Sequence, residues 1–204
     1  MALGDEFKSS GITENTPKTI MLGAGTIHKG LTFTAGSEGA AGTWNFEDSL
    51  ICATSGGSKV SIVPEFYDIP VDGALVKVKG LTVKVGETAK MEINPIELTP
   101  DILKMGVIGN EKASTTASGY NEITSRAIIN EGDYLEHMGY VGKTIEGKPI
   151  IIIFDYALCT SGLAIEGKNK EAAVPAFAFE CYANLSPEAD TLPYHIFYPT
   201  PAQV

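Results

Sequence analysis

The stretch Thr82-Val-Lys-Val-Gly-Glu-Thr-Ala-Lys-Met-Glu-Ile93 decides how the chain is read. Val83, Val85, Ala89, Met91 and Ile93 share one parity, while Thr82, Lys84, Thr88, Lys90 and Glu92 share the other. Successive side chains of a strand point to opposite faces, so this alternation predicts a strand with one dry and one wet face. Gly86-Glu87 is placed to bulge or bend it without changing the parity.

The neighbouring segments extend the pattern. Val76 and Val78 alternate with Lys77 and Lys79, which predicts a strand over Leu75 to Lys79, launched by a turn at Asp72-Gly73 and closed at Gly80. Upstream, Gly56-Gly57 reads as a flexible turn into the strand-like Val60-Ser-Ile-Val63, with Pro64 and Pro70 marking an edge or bend. Phe177, Phe179 and Cys181 face one way and Ala176, Ala178 and Glu180 the other. Pro149-Ile-Ile-Ile-Ile-Phe154 does not alternate, so that strand is expected to be covered on both faces.

Helical signals are scarce. In Leu98-Thr-Pro-Asp-Ile-Leu-Lys-Met-Gly106, Thr99 suits the N-cap, Pro100 the first helical position and Asp101 the positive end of the dipole. Gly106 offers a left-handed stop, and Ile102, Leu103 and Met105 are the residues to pack. A helix of roughly two turns needs such packing to persist. The fold class that follows is mainly β, an antiparallel sandwich or barrel with one short helix at about 99–105. At 204 residues the chain reads as a single domain over 1–204 with an N-terminal arm, a long loop at about 32–49 and an extended C-terminal tail.

Two Gly/Ala/Ser/Thr-rich segments, 32–49 and 110–125, are too long for hairpin turns. The first carries the single tryptophan, Trp44, beside Phe46. These aromatics suit either a contact arm toward a partner or a lid folded back on the core. The tail Leu192-Pro-Tyr-His-Ile-Phe-Tyr-Pro-Thr-Pro201, with Tyr194 and Phe197, is extended and aromatic and needs a surface to lie on. The small Ala176/Ala178 face suits either a close-packed neighbour or the underside of the chain's own helix.

Composition excludes several functions. With 25 acidic against 15 basic residues the formal net charge is −10, and Arg126 is the only arginine. Nucleic-acid affinity rests on neutralising phosphates with clustered cations, so tight binding of that kind is not expected. The start MALGDEFKSS lacks the basic-then-apolar order of a secretory signal, and the most apolar run ends at Asp155, far short of a bilayer span. Cys52, Cys159 and Cys181 lack paired spacing and read as buried hydrophobes in a reducing, cytoplasmic setting.

Catalytic and cofactor motifs are also missing. Gly56-Gly57-Ser58-Lys59 lacks P-loop spacing and no helix follows it, and Gly23-Ala-Gly25 lacks the third glycine of a dinucleotide fingerprint. His28, His137 and His195 show no metal-ligand spacing. Ser55 and Ser161 form no nucleophile elbow. The pairs Asp68/Asp72 and Glu47/Asp48 read as turn and surface carboxylates. The expectation is a protein that is not an enzyme and carries no cofactor or metal.

Several pieces, taken in order, resemble the major tail tube protein of long-tailed bacteriophages with non-contractile tails. They are Leu50-Ile-Cys-Ala-Thr-Ser-Gly-Gly57, Val71-Asp-Gly73 with Val78-Lys-Gly80, Glu97-Leu-Thr-Pro-Asp-Ile-Leu103, Glu171-Ala-Ala-Val-Pro-Ala-Phe177 and Pro193-Tyr-His-Ile-Phe-Tyr-Pro199. The resemblance implies a β-sandwich or barrel-like subunit that forms hexameric rings. The rings stack into a hollow tube through which DNA leaves the virion without specific binding. It also implies tape-measure and tail-terminator proteins as partners, no membrane, and a virion-tail location after assembly in the host cytoplasm. Candidate inter-subunit contacts are Trp44, Phe46, Ala176, Ala178, Tyr194 and Phe197. A monomeric carbohydrate-binding or adhesion module is the alternative for a loop-rich β-protein of this kind.

The implied tube has workable dimensions. About 24 lumen strands spaced ~4.8 Å apart and tilted ~40° give a circumference of ~150 Å. The backbone diameter is then ~48 Å, and side chains leave just under ~40 Å, room for duplex DNA. A hexameric ring would carry about −60 in formal charge, and any of it on the lumen would keep DNA from adhering within a Debye length of ~8 Å.

Overall fold

The computed structural model describes residues 10–37, 42–185 and 190–199. Eleven strands are present among them: β1 (Met21–His28), β2 (Phe33–Thr34), β3 (Thr43–Trp44), β4 (Lys59–Asp68), β5 (Thr82–Ile93), β6 (Gly109–Ala113), β7 (Asn121–Ser125), β8 (Leu135–Thr144), β9 (Pro149–Cys159), β10 (Phe177–Cys181) and β11 (Tyr194–Phe197). Three helices accompany them: α1 (Thr16–Thr19), α2 (Phe46–Ser49) and α3 (Pro100–Val107). Where the sequence points to one short helix, two further single turns form.

The chain is mainly β and every ladder is antiparallel. Seven strands make one sheet in the order β1-β8-β9-β10-β5-β4, with β11 added beside β9. The sheet is open. Within the described residues β4 has β5 as its sole strand neighbour and β1 has β8, so the closed-barrel form of the expectation does not hold. The reason lies in reach: the distal half of the β4–β5 hairpin runs beyond β10, which pairs only with Lys90 to Ile93 of β5.

Ile151 and Ile153 pack with Leu31 on one face of β9, while Phe154 belongs to the main core with Met138, Met91 and Phe179. The unalternating run at 149–154 is therefore covered on both faces, as its composition dictates. Phe177, Phe179 and Cys181 are buried on β10, again as the parity requires.

Helix α3 closes one side of the main core through Ile102 and Met105, while Leu103 stays half-buried outside that cluster. Thr99 caps it, its Oγ1 accepting from the Ile102 N–H at 3.4 Å. The left-handed stop falls on Ile108 (φ 49°) rather than Gly106. Gly106 has another role: a Cβ there would lie 2.5 Å from Phe177 Cε1, so the missing side chain lets the ring seat against the helix.

Three further sequence expectations are corrected. First, the bulge in β5 does change parity. Glu65 pairs with Gly86 but Phe66 with Lys84, leaving Val85 as an extra residue. Beyond it Val83 shares a face with Thr88 and Lys90, not with Ala89 and Met91. Second, Leu75 to Lys79 forms no strand; the turn at Gly73 (φ 83°) is present, but the segment stays irregular with Leu75 97% exposed. Strand pairing there would need a partner that the protruding hairpin does not supply. Third, the segment 110–125 is largely the β6–β7 hairpin, held by Asn121 donating to Glu111 at 2.7 Å and by Lys112 with Glu122 at 3.6 Å.

Candidate assembly interface

The β4–β5 hairpin has two unlike halves. At its root Val60 lies opposite Met91 and Ile62 opposite Ala89, all turned to the core. Past the bulge, Phe66, Tyr67, Val83 and Val85 are exposed, and the connecting segment adds Ile69, Val71, Leu75, Val76 and Val78. This is an apolar arm facing water. It is braced internally: Lys77 Nζ lies 2.6 Å from Asp68 Oδ2, and Thr82 Oγ1 donates to Asp68 Oδ1 at 2.5 Å. The Lys77 ammonium, then the Thr82 hydroxyl, hold the Asp68 carboxyl below its ordinary value. Among the described residues the outer edge of β4 along the arm has no strand partner, and a row of unpaired backbone groups invites another strand.

Of the contact candidates read from sequence, Trp44 meets both Phe46 and Phe197. The Trp44 ring centroid is 5.1 Å from Phe197, 5.2 Å from Phe33 and 6.4 Å from Phe46. Trp44 and Phe46 roof the Leu31–Ile151–Ile153 cluster, so Trp44 is a lid within the subunit, and Phe197 beside it keeps 45% exposure. Residues 38–41 of the long loop lie outside the described residues. The aromatic tail finds its surface as β11, paired with Ile151 to Phe154 of β9. Tyr194 is half-buried there and its hydroxyl donates to Glu87 at 3.3 Å.

Ala178 alternates with Phe177, the residue that meets α3, and so lies on the opposite face; it does not pack under the helix. Ala176 is exposed, and both alanines line a cavity of about 370 Å³ with Gly56, Gly57, Lys59 and Asn94. Gly56 and Gly57 take φ of 83° and 86°, a left-handed pair that turns the chain into β4, and Asn94 Nδ2 donates to the Gly57 carbonyl at 3.1 Å. Lys59 is engaged by Glu92 at 3.3 Å, which leaves an electrically balanced turn rather than a phosphate cradle.

Buried titratable groups are structural. His28, only 3% exposed, has Nδ1 2.9 Å from Ser49 Oγ and Nε2 2.8 Å from Thr26 Oγ1. Ser49 Oγ donates to the Asn45 carbonyl, so it accepts from His28 Nδ1–H, and Nε2 accepts from Thr26. Burial holds His28 below 6.5, against a smaller opposing effect of the Phe46 backbone. Burial pushes the Cys52 thiol up to about 11, aided by Glu97, and Cys181 up to about 12, aided by Asp155 and Glu87. Thiols this reluctant to ionise are poor nucleophiles.

Folding brings together one pair the sequence does not announce. His137 on β8 and His195 on β11 both face Asp155, at 3.7 and 3.3 Å. They stand 58 positions apart, and only the ladders of β9 with β8 and β11 make them neighbours. Among the described residues no group of three or more His, Cys, Asp or Glu is arranged to hold a metal, and no helix is long and apolar enough to cross a membrane. No protein-family model matches the chain, and no curated protein matches it.

Proposed function

We propose that this chain is a structural subunit of a phage or prophage tail tube, a non-enzymatic protein that assembles with copies of itself. The observation that carries the reading is the exposed apolar arm of β4–β5, with the free edge of β4 along it. Ile69, Val71, Leu75, Val76 and Val78 line one open cavity on the arm, and exposed apolar surface of this kind marks an interaction site. Copies of the same chain are the natural partner, because a head-to-tail contact either closes into a ring or propagates as a filament. Hexameric rings stacked into a hollow conduit use both.

The ordered motifs that resemble tail tube proteins support the specific choice of conduit, and the −10 charge suits a channel that DNA must pass without adhering. The tube's working place is the virion tail, in contact with tape-measure and terminator proteins. The alternative, a carbohydrate-binding module built on Trp44, loses ground because that half-buried ring is packed against Phe33, Phe46 and Phe197 rather than offered as an open platform.

Electron microscopy of the purified protein at high concentration tests the reading. Rings or hollow tubes are expected. A protein that stays monomeric under all conditions and binds glycans sinks it.

A further inference from the structure

A cavity of about 690 Å³ opens where β8, β9 and the end of β10 meet. Three tyrosines wall it, Tyr134, Tyr156 and Tyr182; Asn130, Glu131 and Glu136 add polar lining, and Ile129 and Leu185 an apolar part. The ladders explain the convergence. Glu136 stands opposite Tyr156 in the β8–β9 pair, one step from Leu135 and Ala157, which point into the core. Alternation therefore turns Glu136 and Tyr156 to the other face. The Tyr182 N–H donates to the Tyr156 carbonyl at 3.0 Å, which sets the third ring alongside. The rings of Tyr134 and Tyr182 meet edge to face, 5.6 Å apart and 71° inclined.

Charge in this cavity is one-sided. Glu131 and Glu136 are exposed at its lining, and among the described residues neither has an ion-pair partner. The cations in the vicinity are already engaged: Arg126 is paired with Asp133, and Lys90 with Glu180 at 2.5 Å. Aromatic faces carry negative potential and attract a cation placed over them within ~6 Å. Two free carboxylates add to that attraction and repel any anion. A pyranose ring stacks best on an open, flat aromatic face, whereas Tyr134 and Tyr182 form a corner that wraps a compact group.

We propose that this cavity binds an organic cation, a guanidinium or alkylammonium group, carried either by a partner protein's side chain or by a free quaternary ammonium compound. The inference does not rest on the assembly reading, and either can fail without the other.

The test is an NMR titration of the full chain with N-acetylarginine methylamide, with tetramethylammonium and with the neutral disaccharide cellobiose. Saturable shifts at the cavity are expected for the cations, with Kd of about 1–10 mM, and the two cations should compete. Tighter binding of the arginine derivative assigns the site to a protein side chain; tighter binding of tetramethylammonium assigns it to a free ammonium. A Glu131→Gln/Glu136→Gln variant, altered only at exposed positions, should keep the native thermal midpoint and bind about tenfold more weakly. Tyr182→Phe, which keeps the ring, should bind as the native chain does. The proposal is overturned if neither cation saturates, if the double Gln variant binds undiminished, or if cellobiose occupies the cavity and the cations fail to displace it.

Discussion

The root and the arm of the β4–β5 hairpin are made from the same two strands and much the same residue types, yet one is dry and the other wet. Met91 is 0% exposed, whereas Val85, six residues earlier on the same strand, is 61% exposed. Hydrophobicity does not separate them. What does is the presence of β10 and α3 over the root and, among the described residues, of nothing over the arm. An apolar side chain contributes to stability only where folding removes it from water. The root therefore serves the fold, while the arm is apolar surface that folding of the subunit leaves in water.

The largest effect expected is on assembly. Leu75→Asp/Val76→Asp puts two charges on the arm and should abolish rings and tubes in electron micrographs, leaving the circular dichroism spectrum native. If tubes persist, the arm is not the interface. At the root, Met91→Ala should destabilise the subunit by about 2–5 kcal/mol in urea unfolding, through lost burial and the cavity it leaves. Gly106→Ala should follow at about 1–3 kcal/mol, because the new methyl collides with Phe177. Phe66→Ala on the arm should stay within about 0.5 kcal/mol despite removing a whole ring. A Phe66 effect as large as that of Met91 would erase the distinction between the halves.

Acid should act on the buried part of the subunit rather than on the arm. His28 has a folded pKa below 6.5, so the unfolded chain binds more protons in the window beneath that value. Its contribution is fully present above pH 6.5 and is lost as pH falls toward the folded pKa. Urea midpoints measured across that window should fall with acidification in the native chain and flatten in His28→Gln. Asp68 on the arm is half-buried, and Lys77 and Thr82 hold its carboxyl below the ordinary value, so its contribution is lost only at more acid pH than this window.

Local chemistry made part of this legible in advance. The parity of residues 87–93 and 177–181, the Thr99 cap and the turns at Gly56-Gly57 and Gly73 follow from backbone geometry within a few residues. Gly86-Glu87 marks the bulge at Val85 to within a residue but not its consequence, because parity beyond a bulge depends on which partner residue the strand meets next. The β6–β7 hairpin hides in a Gly/Ser/Thr-rich stretch, since its ladder is held by Glu111–Asn121 and Lys112–Glu122 rather than by an apolar face. The tyrosine cavity is assembled from three separate stretches near 131–136, 156 and 182, and no spacing within one stretch foretells it.

The insertion of β11 and β10 beside β9 also sets a timetable. The hairpin of β4 and β5 joins near neighbours in the chain and can form early in synthesis, N-terminal parts first. Its root is roofed only when Phe177 to Glu180 arrive, and β9 acquires its last neighbour only with Tyr194 to Phe197. β1 likewise waits more than a hundred residues for β8. Throughout that interval the ribosome carries a greasy hairpin with no companion. In that order of synthesis the exposed Leu75 and Val76 leave the ribosome long before the strands that complete the sheet.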